Sequence, residues 1–105
     1  AAAVTSPYDR VSVAYVEKWR AVLAASDGRH AQASVRALTV LEAIDATDQI
    51  SAQADVRRWL SEVPGRRGDI GEQRRLLTEA RDLYRPKGHL PLTAATERLL
   101  AELAD

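Results

Sequence analysis

The chain has 105 residues, with no cysteine, methionine or phenylalanine, and its 15 basic side chains balance 15 acidic ones. That length fits one domain with a modest core. The composition excludes disulfides, thiolate metal sites and cysteine nucleophiles, as well as a global field toward nucleic acid or lipid.

Residues 1–7 read as a linker or tail, and a helix over about 8–26 follows. Ser6 suits its N-cap, Pro7 the first helical position, and Asp9 the return half of a capping box. Val11, Tyr15, Trp19, Val22 and Leu23 recur at the helical period, and Asp27-Gly28 stops the run because glycine accepts a left-handed backbone. A second helix over about 30–45 turns Leu38, Leu41 and Ile44 inward. Thr47-Asp48 breaks it and caps a third, 49–63, whose stripe is Ala52, Val56, Trp59, Leu60 and Val63, and Pro64-Gly65 ends that helix. Asp69 and Glu72 form a capping-box pair for a fourth helix, 70–85, with Leu76, Leu77, Ala80, Leu83 and Tyr84 on its apolar face. Pro86-Lys87-Gly88 is the next break. Pro91 then opens a fifth helix, 91–104, with Leu92, Ala95, Leu99, Leu100 and Leu103 along one side. No segment alternates with period two over a useful length, so no strand is expected.

The elements repeat. Ala14-Tyr-Val-Glu-Lys-Trp19, Ala54-Asp-Val-Arg-Arg-Trp59 and Ala94-Ala-Thr-Glu-Arg-Leu99 are spaced by forty residues, as are Gly28 and Gly68. The expected architecture is all-α: about five helices arranged as two hairpins, with a terminal helix covering the open end. Trp19, Trp59, Leu77, Tyr84 and Leu99 are its expected structural core, and Glu97, Arg98 and Glu102 give the last helix a wet outer face. The run Leu77-Thr78-Glu79-Ala80-Arg81-Asp82-Leu83-Tyr84, followed by Lys87-Gly88 and preceded by Gly68-Asp69, resembles the tetratricopeptide-like helical domains of large bacterial signal-transduction and transcriptional regulators. The resemblance covers roughly residues 14–104, with a period longer than the about 34 residues of the standard unit. It implies a right-handed helical-repeat array over residues 8–105 that binds other proteins, and it carries over no catalytic residue.

The residues themselves suggest no chemistry. His30 and His89 lack a carboxylate at metal-ligand spacing and read as loop or capping residues. Asp45 and Asp48 flank a turn. Gly65 and Gly68 lack the Lys-Ser or Lys-Thr of a phosphate loop. No catalytic residue, metal or cofactor is therefore expected. One cluster is basic: Arg57, Arg58, Arg66, Arg67, Arg74 and Arg75. These arginines read as a solvated face or as a docking edge for an acidic protein segment, since the guanidinium fork suits carboxylates. Polar positions of the first and third helices, Glu17, Lys18, Arg20, Asp55, Arg57 and Arg58, are further candidates for a binding surface. A DNA-binding domain using the third and fourth helices is the alternative; the neutral charge and the long Pro64–Gly68 turn weigh against it. No run reaches membrane-span length, so the cytoplasm is the expected compartment. The missing methionine points to a piece of a longer multidomain protein, or to a processed chain.

Overall fold

The computed structural model describes residues 7–103, with side chains from Arg10 onward. All regular elements among them are helical: α1 (Pro7–Ser26), α2 (His30–Asp45), α3 (Ile50–Leu60), a one-turn α4 (Glu62–Arg66), α5 (Ile70–Tyr84) and α6 (Leu90–Leu103), with a 3-10 turn at Arg85–Lys87. The expected tail, the Ser6 cap, the Asp9 side chain and the last residue of the fifth helix lie outside the described residues. No described helix is long and apolar enough to cross a membrane.

α1 pairs with α2, and α3 pairs with α5. α3 and α4 pack across both α1 and α2, and α6 lies against α5. The result is a slab measuring 46 × 35 × 16 Å.

The forty-residue spacing reappears in the backbone of the turns. After α1, Gly28 N–H donates to Ala25 O at 3.1 Å and Arg29 N–H to Ala24 O at 2.9 Å. Forty residues on, Gly68 N–H donates to Gly65 O at 3.2 Å and Asp69 N–H to Pro64 O at 2.9 Å. Both are Schellman endings, in which the last helical carbonyls are satisfied by a chain reversing through a left-handed residue. Gly28 and Gly68 supply that residue, with φ of 81° and 82°. Asp69 then caps α5 by accepting from Glu72 N–H at 3.1 Å, the first half of the expected box.

Pro64-Gly65 does not end the third helix as expected. The interruption falls earlier, at Ser61, and helix resumes through Pro64 to Arg66. Pro64 has no N–H for the Leu60 carbonyl, and its ring would collide with that carbonyl in a continuous helix. The regular helix is interrupted one turn upstream, at Ser61, whose backbone stays right-handed helical, and the proline falls in the first turn of the next helix, where it is tolerated. The Ser61 hydroxyl donates to Arg58 O at 2.6 Å across this interruption.

The core differs from the expected one in its residue sizes. Leu77 and Tyr84 are buried, as are Ile44, Val56, Leu60 and Val63, but most of the remaining buried positions are alanine: Ala14, Ala21, Ala25, Ala33, Ala37, Ala52, Ala54 and Ala80. Trp19 is not a core residue: it is 46% exposed, and its counterpart Leu99 is 38% exposed. Trp59 is half-buried. Leu23 and Leu38, both expected inward, are also exposed. Helices lined by alanine approach closely, so the seams are filled by methyl groups and the bulky side chains are displaced to the flanks. α6 follows the same rule. Thr93 and Thr96 are its buried residues, their hydroxyls donating to His89 O at 2.8 Å and Leu92 O at 2.7 Å. Glu97, Arg98 and Glu102 lie on its exposed side.

Candidate interaction site

The six arginines do not form one basic edge. Arg57 reaches from α3 to both neighbouring helices, pairing with Asp45 at the end of α2 at 2.6 Å and with Glu79 of α5 at 3.0 Å. These two partners hold its guanidinium firmly protonated. Arg75 pairs with Glu72 and with Glu79, the latter at 2.8 Å. Arg67 pairs with Asp69 at 3.4 Å and donates to the Ser34 hydroxyl at 2.8 Å. Arg66 meets Glu62 at 4.0 Å, and Arg74 donates to Leu103 O at 3.2 Å. Carboxylates that are interleaved in sequence thus neutralise most of this charge on the surface.

Arg58 faces elsewhere, into a polar and aromatic cluster in the seam between α1 and α3. Asp55 is its hub. The Tyr15 hydroxyl of α1 donates to Asp55 at 2.5 Å, and the Tyr84 hydroxyl of α5 donates to its other oxygen. Arg58 adds a hydrogen bond to the Tyr84 hydroxyl at 3.1 Å and lies 3.9 Å from Asp55. One carboxylate therefore ties three helices together. Burial, reinforced by the hydrogen bond to Asp55, raises the Tyr15 pKa well above the ordinary tyrosine value. Burial likewise pushes Tyr84 up to about 12, with Asp55 adding to the rise and Arg58 opposing it.

Lys18 lies next to this hub and is 3% exposed. Among the described residues it has no salt-bridge or hydrogen-bond partner; its ammonium lies 4.1 Å from the Tyr15 ring centre, 5.1 Å from Trp59 and 5.7 Å from Trp19. Aromatic faces attract a cation, but they carry no countercharge. Burial accordingly depresses the Lys18 pKa, with Asp55 pulling it back and Arg58 pushing the same way as burial. The ammonium is not sealed in: the one polar side-chain atom both shut off from solvent and unpaired, among the described residues, is His30 Nδ1. Two cations thus share the seam with one carboxylate, and that carboxylate is already engaged by two hydroxyls.

Trp19 and Trp59 roof this arrangement with ring centres 4.6 Å apart. Trp59 also lines a cavity of about 210 Å³ with Arg58, Leu77 and Leu99. Further along, His89 bonds the Ser51 hydroxyl at 2.8 Å and tilts edge-on to Tyr84, fastening the start of α6 to α3. His89 therefore acts as a loop tie. No three His, Asp or Glu side chains among the described residues converge as a metal site.

Of the polar candidates named from the sequence, Lys18, Asp55 and Arg58 meet in the seam. Arg20 stays outside, where it pairs with Glu17 at 2.8 Å. Tyr15 and Tyr84 were not among the candidates. The signal that points to Tyr15 is the repeat itself: at forty-residue offset Tyr15 aligns with Asp55 and Lys18 with Arg58, whereas Tyr84 falls opposite Ile44 and has no such trace. No family model, no curated protein and no solved structure matches the chain.

Proposed function

We propose that the chain is a protein-interaction module, a tetratricopeptide-like helical array serving a larger regulatory protein, and that it grips an acidic segment of its partner at the α1–α3 seam. The carrying observation is Lys18: a cation 3% exposed, with no salt-bridge partner among the described residues, lying beside two partly exposed tryptophans. Its charge is offset only by Asp55, which two hydroxyls and Arg58 already engage; burying a charge so weakly paired is costly, and an Asp or Glu from a partner would complete the site. The tryptophan pair would supply the adjoining apolar contact, since aromatic anchors beside a desolvated charge are the usual hot spots of an interface. This moves the expected acidic partner away from Arg66, Arg67, Arg74 and Arg75, whose charges are already met or spent on backbone. The same pairing weighs against the DNA-binding alternative.

Selection from a displayed random-peptide library tests the reading. Enriched peptides should carry an acidic residue beside an apolar one and bind with a change in tryptophan emission. Lys18→Gln should weaken them at least about tenfold, a loss of about 1.4 kcal/mol. Arg66→Glu with Arg67→Glu should leave binding unchanged. Enrichment of peptides indifferent to Lys18 and to acidic residues would refute the site.

A further inference from the structure

A comparison of α1 with α3 shows an interface that is filled in one case and empty in the other. Ala52, Val56, Trp59 and Val63 of α3 and α4 lie forty residues after Ser12, Val16, Trp19 and Leu23 of α1. In the second set Val56 and Val63 are 0% and 1% exposed. In the first, Val16 and Leu23 are 53% and 61% exposed. What covers Val56 and Val63 is the groove between α1 and α2, floored by Ala14, Ala21, Ala25, Ala37, Val40 and Ile44, all in one buried cluster with them. The two stripes share register, helix face and apolar character.

We propose that the outer stripe of α1 is a docking surface for a helical hairpin of the same build as α1–α2, presenting a groove floored by small residues. This goes beyond the acidic-segment reading and stands on Val16 and Leu23 rather than Lys18, sharing only Trp19 with it. The occupant follows from continuity with the α3 interface, where the same stripe is already seen in its bound form. A lone amphipathic helix would cover only half of what the α1–α2 pair covers on α3. A second copy of this chain is a poor occupant, because neither of its grooves is free: α3 fills the one between α1 and α2, and α6 covers α5, with Leu92 packed on Ala54, Ala80 and Tyr84. An added hairpin would seat on Trp19 as the first hairpin seats on Trp59, extending the aromatic stack by one step.

The test gives the full chain such a hairpin. Residues 7–49 are duplicated ahead of Arg10, so that the natural Ala46–Gln49 turn joins the copy to α1. The copy carries Trp19→Phe and Trp59 is Phe throughout, so that emission reports the original Trp19 alone. One melting transition at a higher Tm, a blue shift of Trp19 and amide exchange in α1 slowed by about tenfold or more are expected. Val16→Glu with Leu23→Glu should abolish all three gains in the extended chain while leaving the Tm of the unextended chain nearly unchanged. Independent melting of the added hairpin with unshifted Trp19 emission would overturn the proposal. So would dimerisation of the native chain in sedimentation that is lost on Val16→Glu, because the stripe would then belong to a second copy.

Discussion

Asp55 illustrates how much of this chain depends on single polar side chains. It accepts from the hydroxyls of Tyr15 and Tyr84, which come from two other helices. Hydrogen bonds to a charged group contribute about 1.5–3 kcal/mol. Tyr84→Phe, which also removes the hydroxyl that Arg58 bonds, should lower the unfolding free energy by about that amount in denaturant titration. Both tyrosines have a folded pKa above the ordinary 10.0. A raised folded pKa means that the neutral form is favoured by folding, so this stability is complete below pH 10 and is lost as pH rises through the folded values. Alkaline titration should show unfolding that begins above pH 10 and runs together with tyrosinate absorbance, and Tyr15→Phe with Tyr84→Phe should flatten that dependence. At ordinary hydrophobic positions the sizes diverge with burial. Ile44→Ala should cost about 2–5 kcal/mol, whereas exposed Leu38→Ala should stay within about 0.5 kcal/mol.

At the level of elements, much of the fold was legible because helices announce themselves locally. Gly28, Gly68 and the Asp69–Glu72 pair set turns and caps through backbone geometry that depends on few neighbours. Gly28→Ala and Gly68→Ala should therefore each cost about 1–2 kcal/mol from the left-handed backbone alone. The two penalties should be alike, since a Cβ at either position meets nothing. Which face of each helix is buried was less legible. Periodicity ranks residues by hydropathy and so chose Trp19, Leu23, Leu38 and Leu99, whereas the packing is decided by how closely two backbones approach, which favours alanine. The interruption at Ser61 escaped because a proline's effect lands one turn upstream of it. The seam was hidden for a different reason: Lys18 and Tyr15 meet Asp55 and Tyr84 only when three separate helices come together. The alignment of Tyr15 with Asp55 and of Lys18 with Arg58 was a visible trace, but its meaning needed the hairpins in place.

On the scale of the whole molecule, the slab is only 16 Å through its thinnest direction, so each helix depends on its immediate neighbours for cover. α3 is packed by α1, α2, α4 and α5, while α6 leans chiefly on α5. Local opening should follow that order: amides of α6 should exchange with deuterium faster than those of α3, and a reversal of that order would contradict the packing described here. The alanine seams add a second property of the whole. Ala21, Ala33, Ala54 and Ala80 are 0% exposed, and enlarging such a site forces backbones apart at about 1–3 kcal/mol. Ala33→Val and Ala54→Val should thus be as harmful as many truncations elsewhere, a difference readable from their melting temperatures. A protein with a leucine core mostly suffers by losing volume and can regain it from a neighbour that grows. This chain suffers by gaining volume too, and along its alanine seams there is almost nothing left to shrink in compensation, so its sequence is freer to drift along the flanks of its helices than along the lines where they touch.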